Sequence, residues 1–328
     1  MKLLAYFDHF LTETVNLNPA RLHRLDDSGA AIYRALKADE EIGSLILALI
    51  PTGSRAHRLI IKPLPDKEFD GDFLLEMAEN DEWVDHPKTY IEKVYAALHR
   101  HSKYGEMPHT RKCRCVRIGY EGDYHVDIVP FVRLASGRLV IVNRDDDKWE
   151  DTNPEGFTTW INGKDDVAGG HLRGVIRILK FLRDHKGTFL GTRSVILTTI
   201  VGERVEESKK LGDPSYYCDV PTTLLHVVQD LDAWLQARPS RPTIHDPSGS
   251  GTTFDHRWDD TTYLNLRERI HTYTAAIESA YNEKDRDTSI EKWQEIFGPG
   301  FKAPPAKTTA DKFGAVTPVV PTRPARGG

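Results

Sequence analysis

Residues 68–77, EFDGDFLLEM, alternate with a period of two, which makes the segment a strand with Phe69, Phe73 and Leu75 on one face. The same alternation aims Asp70 and Asp72 together at the opposite face. Two carboxylates held that close repel each other unless a cation lies between them, so a strand-borne D-x-D suits Mg²⁺ as readily as a solvated surface. Two neighbours favour the cation. Upstream, Pro51-Thr-Gly53-Ser54 reads as a tight turn whose bare backbone can approach phosphate oxygens. Downstream, Asp127 sits in the apolar run YHVDIVPFV, where an uncompensated charge is costly to bury.

The stretches around these residues divide the chain. Residues 1–50 read as helical, with Leu22, Leu25, Ile32 and Leu36 near helical spacing. A short apolar stretch at 59–61 follows, then the D-x-D strand, a helix over 87–102, and two strands, 113–120 and 124–132, around the turn-like Glu121-Gly122-Asp123. From about residue 155 long helices dominate. In the clearest, 171–184, Leu172, Val175, Ile176, Ile178, Leu179 and Leu182 fill one arc, with Arg173, Arg177 and Lys180 together at its edge. The expected organisation is α+β: a core over 1–155 that includes the N-terminal helices, a helical module over 156–301, and a flexible Pro/Thr/Ala/Gly tail over 302–328.

These residues, quoted in chain order as PTGSRAHRLIIKPLPDKEFDGDFLLEM, YHVDIVPFV, GVIRILKFLRDHKGTFLGTRSVILTTIVGERV and SIEKWQEIFGPGF, resemble the DNA polymerase β nucleotidyltransferase superfamily. More narrowly, the chain resembles the bacterial cGAS/DncV-like nucleotidyltransferases (CD-NTases) of CBASS anti-phage systems, over about residues 50–301. The resemblance implies a polymerase-β-like core with a mixed sheet, a helical C-terminal module, and an active site in the cleft between them. It implies that Gly53 and Ser54 form the triphosphate turn, that Asp70, Asp72 and Asp127 are catalytic and hold two Mg²⁺ (or Mn²⁺) ions, and that Lys180 and Ser194 contact donor phosphates. Asp66, in the Pro-flanked loop LPDKEF, is the outside alternative for the first metal carboxylate; strand alternation favours Asp70 and Asp72. Lys180 also reads as a snorkelling surface lysine.

The activity implied is condensation of ATP and other NTPs into a cyclic di- or trinucleotide second messenger, which a separate effector would read. Two other classes stand beside it: nucleotide transfer to RNA, a small molecule or a protein, and a non-catalytic nucleotide-binding module. The formal charge of −5 gives no sign of an RNA channel or of constitutive nucleic-acid binding, and the presence of all three aspartates speaks against a catalytically dead chain. The ending Arg326-Gly327-Gly328 suggests an E1/E2-like conjugating partner acting on Gly328.

The remaining candidates carry less. Leu45–Ile50 is far too short for a membrane span, and Asp8 and Glu13 interrupt the N-terminal apolar stretch too early for a secretory leader; the expectation is a cytoplasmic chain without membrane contact. Cys113 and Cys115 would share one face of a strand, and with Cys218 they form neither a disulfide framework nor a zinc set. Asp145-Asp146-Asp147, Asp165-Asp166 and Asp259-Asp260 read as solvated runs, and Gly249-Ser-Gly251 as a flexible loop that is not a P-loop. Tyr216, Tyr217 and Trp258 read as packing residues before base-stacking ones.

Overall fold

Ile46–Pro51 (β1) pairs antiparallel with Phe69–Met77 (β2), the edge pair of a seven-stranded mixed sheet in the computed structural model, which describes residues 1–305. The other strands are His109–Arg111 (β3), Val116–Tyr120 (β4), Tyr124–Arg133 (β5), Leu139–Asn143 (β6) and Lys148–Asp151 (β7). Their order is β1-β2-β5-β4-β3, with β6 on the far end of β5 and β7 beyond it. Only β2 and β5 run parallel, in a register that sets Asp72 beside Asp127. The mixed sheet matches the expected fold class.

The helices are Leu4–Phe10 (α1), Pro19–Lys37 (α2), Gly53–Ala56 (α3), Lys88–Arg100 (α4), Pro154–Val167 (α5), Leu172–Lys186 (α6), Ser194–Gly202 (α7), Glu207–Gly212 (α8), Val220–Gln236 (α9), Asp260–Asn282 (α10) and Arg286–Phe297 (α11). Several start as their sequences dictate. Asn18, Asn153, Asp219, Asp259 and Asp285 each accept a first-turn backbone N–H, and Pro follows at the start of α2, α5 and α9. None of the described helices is long and apolar enough to cross a membrane.

Two hydrophobic cores result. One joins α2 and α4 to a face of the sheet through Leu25, Ile32, Phe73, Leu75, Ile91, Val94 and Leu98. The other is built by α6, α7, α9, α10 and α11, and it includes Phe7, Phe10, Leu11 and Val15. The first fifteen residues thus pack with the helical module, although they stand at the head of the stretch expected to form the first core. Phe10 meets Phe181 edge-on at 5.2 Å and Phe7 meets Trp293 at 5.0 Å, aromatic contacts that tie the chain's start to its helical end.

Other expectations are corrected. Residues 46–51 are a strand, not the end of a helical stretch: an unbroken apolar run has no period by which helix and strand can be told apart. The cysteines do not share a strand face. Lys112 N donates to Cys115 O at 2.8 Å, closing a turn before β4, so Cys113 reaches Asn143 while Cys115 is buried. Asp165 is buried and ion-paired with Arg173, and Asp147 bonds to Lys88. The 246–252 loop is pinned by Asp246, which accepts from Ser248 N and Ser250 Oγ. Tyr217 and Trp258 are buried packing residues, and Tyr216 stacks on His226. Gly328 and residues 306–327 lie outside the described residues.

Candidate active site

Gly71 explains why the acidic pair can share a crowded strand. A Cβ there would sit 2.4 Å from Leu25 on α2, so the residue between the aspartates must be bare for the helix to close on the sheet. Asp70 and Asp72 then project from the other face. The phosphate turn docks directly on them: Thr52 N donates to Asp72 O at 2.9 Å. Gly53 has φ of 55°, and a Cβ on it would lie 2.6 Å from Asp72 Oδ2, so both conformation and space require glycine. Arg55 holds the turn to α2 by donating to both oxygens of Asp26, at 2.8 and 2.6 Å.

The helical module reaches this turn through one row of cations. Arg58 has φ of 59°, which ends α3 and leaves three successive carbonyls unused by the helix. Arg173 Nε donates to His57 O at 2.9 Å, Arg177 Nη1 to Arg58 O at 2.7 Å, and Lys180 Nζ to Leu59 O at 2.7 Å. Spacings of four and three residues put the donors on one stripe of α6. Arg173 is itself held by buried Asp165 on α5. The snorkelling reading of Lys180 is therefore wrong: the residue is 7% exposed. Burial first, then Arg183, pulls its ammonium down to about 8.

Two cavities, of about 330 and 360 Å³, open on either side of this junction. Ser54, Asp70, Lys180 and Ser194 line both, and Gly53 and Asp72 line the first. Ser194 opens α7, and its Oγ accepts from Arg183 at 3.3 Å, leaving the hydroxyl proton for an outside acceptor. Asp66 lines neither cavity; it is exposed, in a turn with φ of 60°.

Six of the seven expected residues thus meet in one cleft. The seventh, Asp127, is buried one strand away, and both its oxygens accept from Arg117, at 2.8 Å each. Among the described residues no three His, Cys, Asp or Glu side chains form a ready-made ion cage. The charge pattern nevertheless fits a divalent cation. Burial first, then the Asp70 and Asp127 charges, pushes the Asp72 carboxyl up to about 7. Asp70 and Asp72 present hard oxygen donors at that point.

Several residues of the cleft escaped the sequence reading. Phe157, Phe254 and Asp246 line the first cavity, with Asn153 and Thr198. His57 lines it too, its ring tilted against Phe157 with centroids 4.9 Å apart. Thr158 Oγ1 donates to Pro154 O, so the 3.3 Å contact to His57 Nε2 needs that nitrogen to carry hydrogen. Burial, then Arg173, pulls His57 down to about 4, so the ring is neutral at pH 7. Arg117 did have a signal: it lies five residues before Gly122 and Asp127 five after it, so a hairpin centred on that turn sets them opposite each other.

A tight turn, an acidic pair on the adjoining strand and a lysine from a facing helix thus meet in one cleft. The Second Messenger Oligonucleotide or Dinucleotide Synthetase domain matches residues 1–165, and the chain belongs to that family. It is 30% identical over 155 residues to the c-di-GMP synthase of Roseivirga ehrenbergii, an alignment covering 46% of this chain and 41% of that protein. The chain therefore spans about two fifths of the length of that relative. It is 20% identical over 307 residues to the cyclic AMP-AMP-AMP synthase of an Acinetobacter species, covering 92% of this chain and 86% of the other. Its fold superposes on Escherichia coli MS115-1 CdnC with ATP at a TM-score of 0.70 and 16% identity, over 91% of this chain and 98% of CdnC. The resemblance to the cGAS/DncV-like nucleotidyltransferases holds in both sequence and fold.

Proposed function

We propose that this chain condenses two or three NTPs into a cyclic oligonucleotide, in the cytoplasm, as the signal of an anti-phage response. The observation that carries the reading is the wall formed by Ser54, Asp70, Lys180 and Ser194, which faces two cavities at once. Each cavity has the volume of a small-ligand site, so two nucleotides can meet across the residues that would run the reaction. A ribose hydroxyl of one would attack the α-phosphorus of the other, forming a phosphodiester and releasing pyrophosphate. Repetition within the linear product would close the ring.

The backbone at Gly53 and the hydroxyls of Ser54 and Ser194 would hold the triphosphate. Lys180, now satisfied by one carbonyl, would regain full charge against the departing phosphates. Asp70 and Asp72 would seat Mg²⁺ or Mn²⁺, with Asp127 as the third carboxylate; when bound, the ions would neutralise charge on the attacking and leaving oxygens. Asp127 would accept the hydroxyl proton once an oxygen is free of Arg117. Phe157 and Phe254 offer flat faces to a base, and Asp246 an acceptor for its N–H groups.

The test is incubation with all four NTPs and Mg²⁺ or Mn²⁺, phosphatase treatment, and mass spectrometry. A phosphatase-resistant oligonucleotide that disappears in D70A/D72A is expected. Linear products alone would contradict ring closure and favour the transferase reading. The relatives' products named above, c-di-GMP and cyclic AMP-AMP-AMP, bracket the ring sizes to look for.

A further inference from the structure

Asp127 is the one expected metal carboxylate whose two oxygens are both taken. Arg117 Nε donates to Oδ1 and Nη2 to Oδ2, each at 2.8 Å, in the side-by-side geometry by which a guanidinium grips a carboxylate. The sheet builds this pairing. Arg117 on β4 stands opposite Asp127 on β5, and Asp127 stands beside Asp72 on β2, so Arg, Asp and Asp form one row across three strands. The two partners differ in freedom. The Asp127 side chain is 8% exposed and Arg117 36%, so the carboxylate is enclosed while the guanidinium borders solvent.

We propose that Arg117 gates the cation site on the Asp127 side: it neutralises Asp127 in the nucleotide-free chain and must release an oxygen before Asp127 can serve a divalent ion with Asp72. The inference rests on the metal reading above and deepens it. The Asp127 carboxylate is costly to bury beside Asp72 without a compensating positive charge. Arg117 covers it at rest, and a divalent ion takes over as the guanidinium swings outward. Asp127 would therefore be shared between Arg117 and a divalent ion bound there, and Arg117 is a positioning residue that tunes when the site fills.

The experiment is Mn²⁺ titration of the full, nucleotide-free chain, with free Mn²⁺ read by electron paramagnetic resonance. R117Q should bind Mn²⁺ about tenfold more tightly than wild type, and R117Q/D127N should lose that gain. Equal or weaker binding by folded R117Q would overturn the gate while leaving the metal reading intact. Failure of wild type and R117Q alike to show Mn²⁺ binding that D72N removes would sink both. Should R117Q fail to fold, the wild-type Arg117 Nε–H resonance decides: it should shift on saturation with Mg²⁺, and an unmoved signal would overturn the proposal.

Discussion

On the sheet, Asp70 and Asp72 are aimed by strand alternation, whereas on the helices Lys180 is aimed by a bond to Leu59 O in the segment before β2 and Ser194 by a contact from Arg183 on α6. The acidic pair needs only β2, the bare Gly71 behind it and the docked turn at Gly53. Lys180 needs α6 to lie with three successive donors on the carbonyls of residues 57–59. One half of the cleft is local and rigid, and the other depends on an interface. Substitutions should therefore act differently on the two sides: chemistry alone on the sheet, chemistry and docking together on the helices.

The largest effect expected is on the sheet. Asp72→Asn should lower product formation by about 10³-fold with the fold intact, checked by initial rates beside circular dichroism. Lys180→Met should cost about 100-fold, shared between KM and kcat because the lysine both holds and neutralises phosphate. Its pH behaviour sharpens the comparison. With the ammonium pulled down to about 8, the charged form is lost as pH rises through that value, so nucleotide affinity should fall above pH 8. Lys180→Arg, if it binds, should remove that alkaline limb, because a guanidinium keeps its charge.

Next comes the interface. Arg173→Ala leaves Asp165 buried without its partner and strips the first donor from the row, so stability should drop by about 3 kcal/mol in a denaturant titration. Arg173→Ala/Asp165→Ala should recover part of that loss, since no charge is left uncompensated. The smallest effect belongs to Asp66→Ala, within about twofold of wild type in rate, because that side chain is exposed and outside both cavities.

The same division governs what could be read from sequence. Strong periodicity exposed β2, β5 and α6, and with them the placement of Asp70, Asp72 and Lys180. The apolar runs at 46–51 and in β6 lack a period, and β7 is too short and too charged to stand out. Phe7 and Phe10 show an apolar face without saying which core it joins. Asp246 and Phe254 enter the cleft from a Gly/Ser-rich loop closed by the His245–Thr253 bridge, and no local pattern signals where such a loop lands. Arg117 was legible in principle from the hairpin register, but only by asking what stands opposite a buried acid.

The central claim is that two nucleotides meet within one chain at the wall of Ser54, Asp70, Lys180 and Ser194. Equilibrium dialysis with a non-reactive α,β-imido triphosphate and Ca²⁺ tests it most directly. The account predicts two analogue molecules bound per chain, with binding of both weakened by Lys180→Met. A single bound nucleotide at saturation, or two of which neither responds to Lys180, would contradict it.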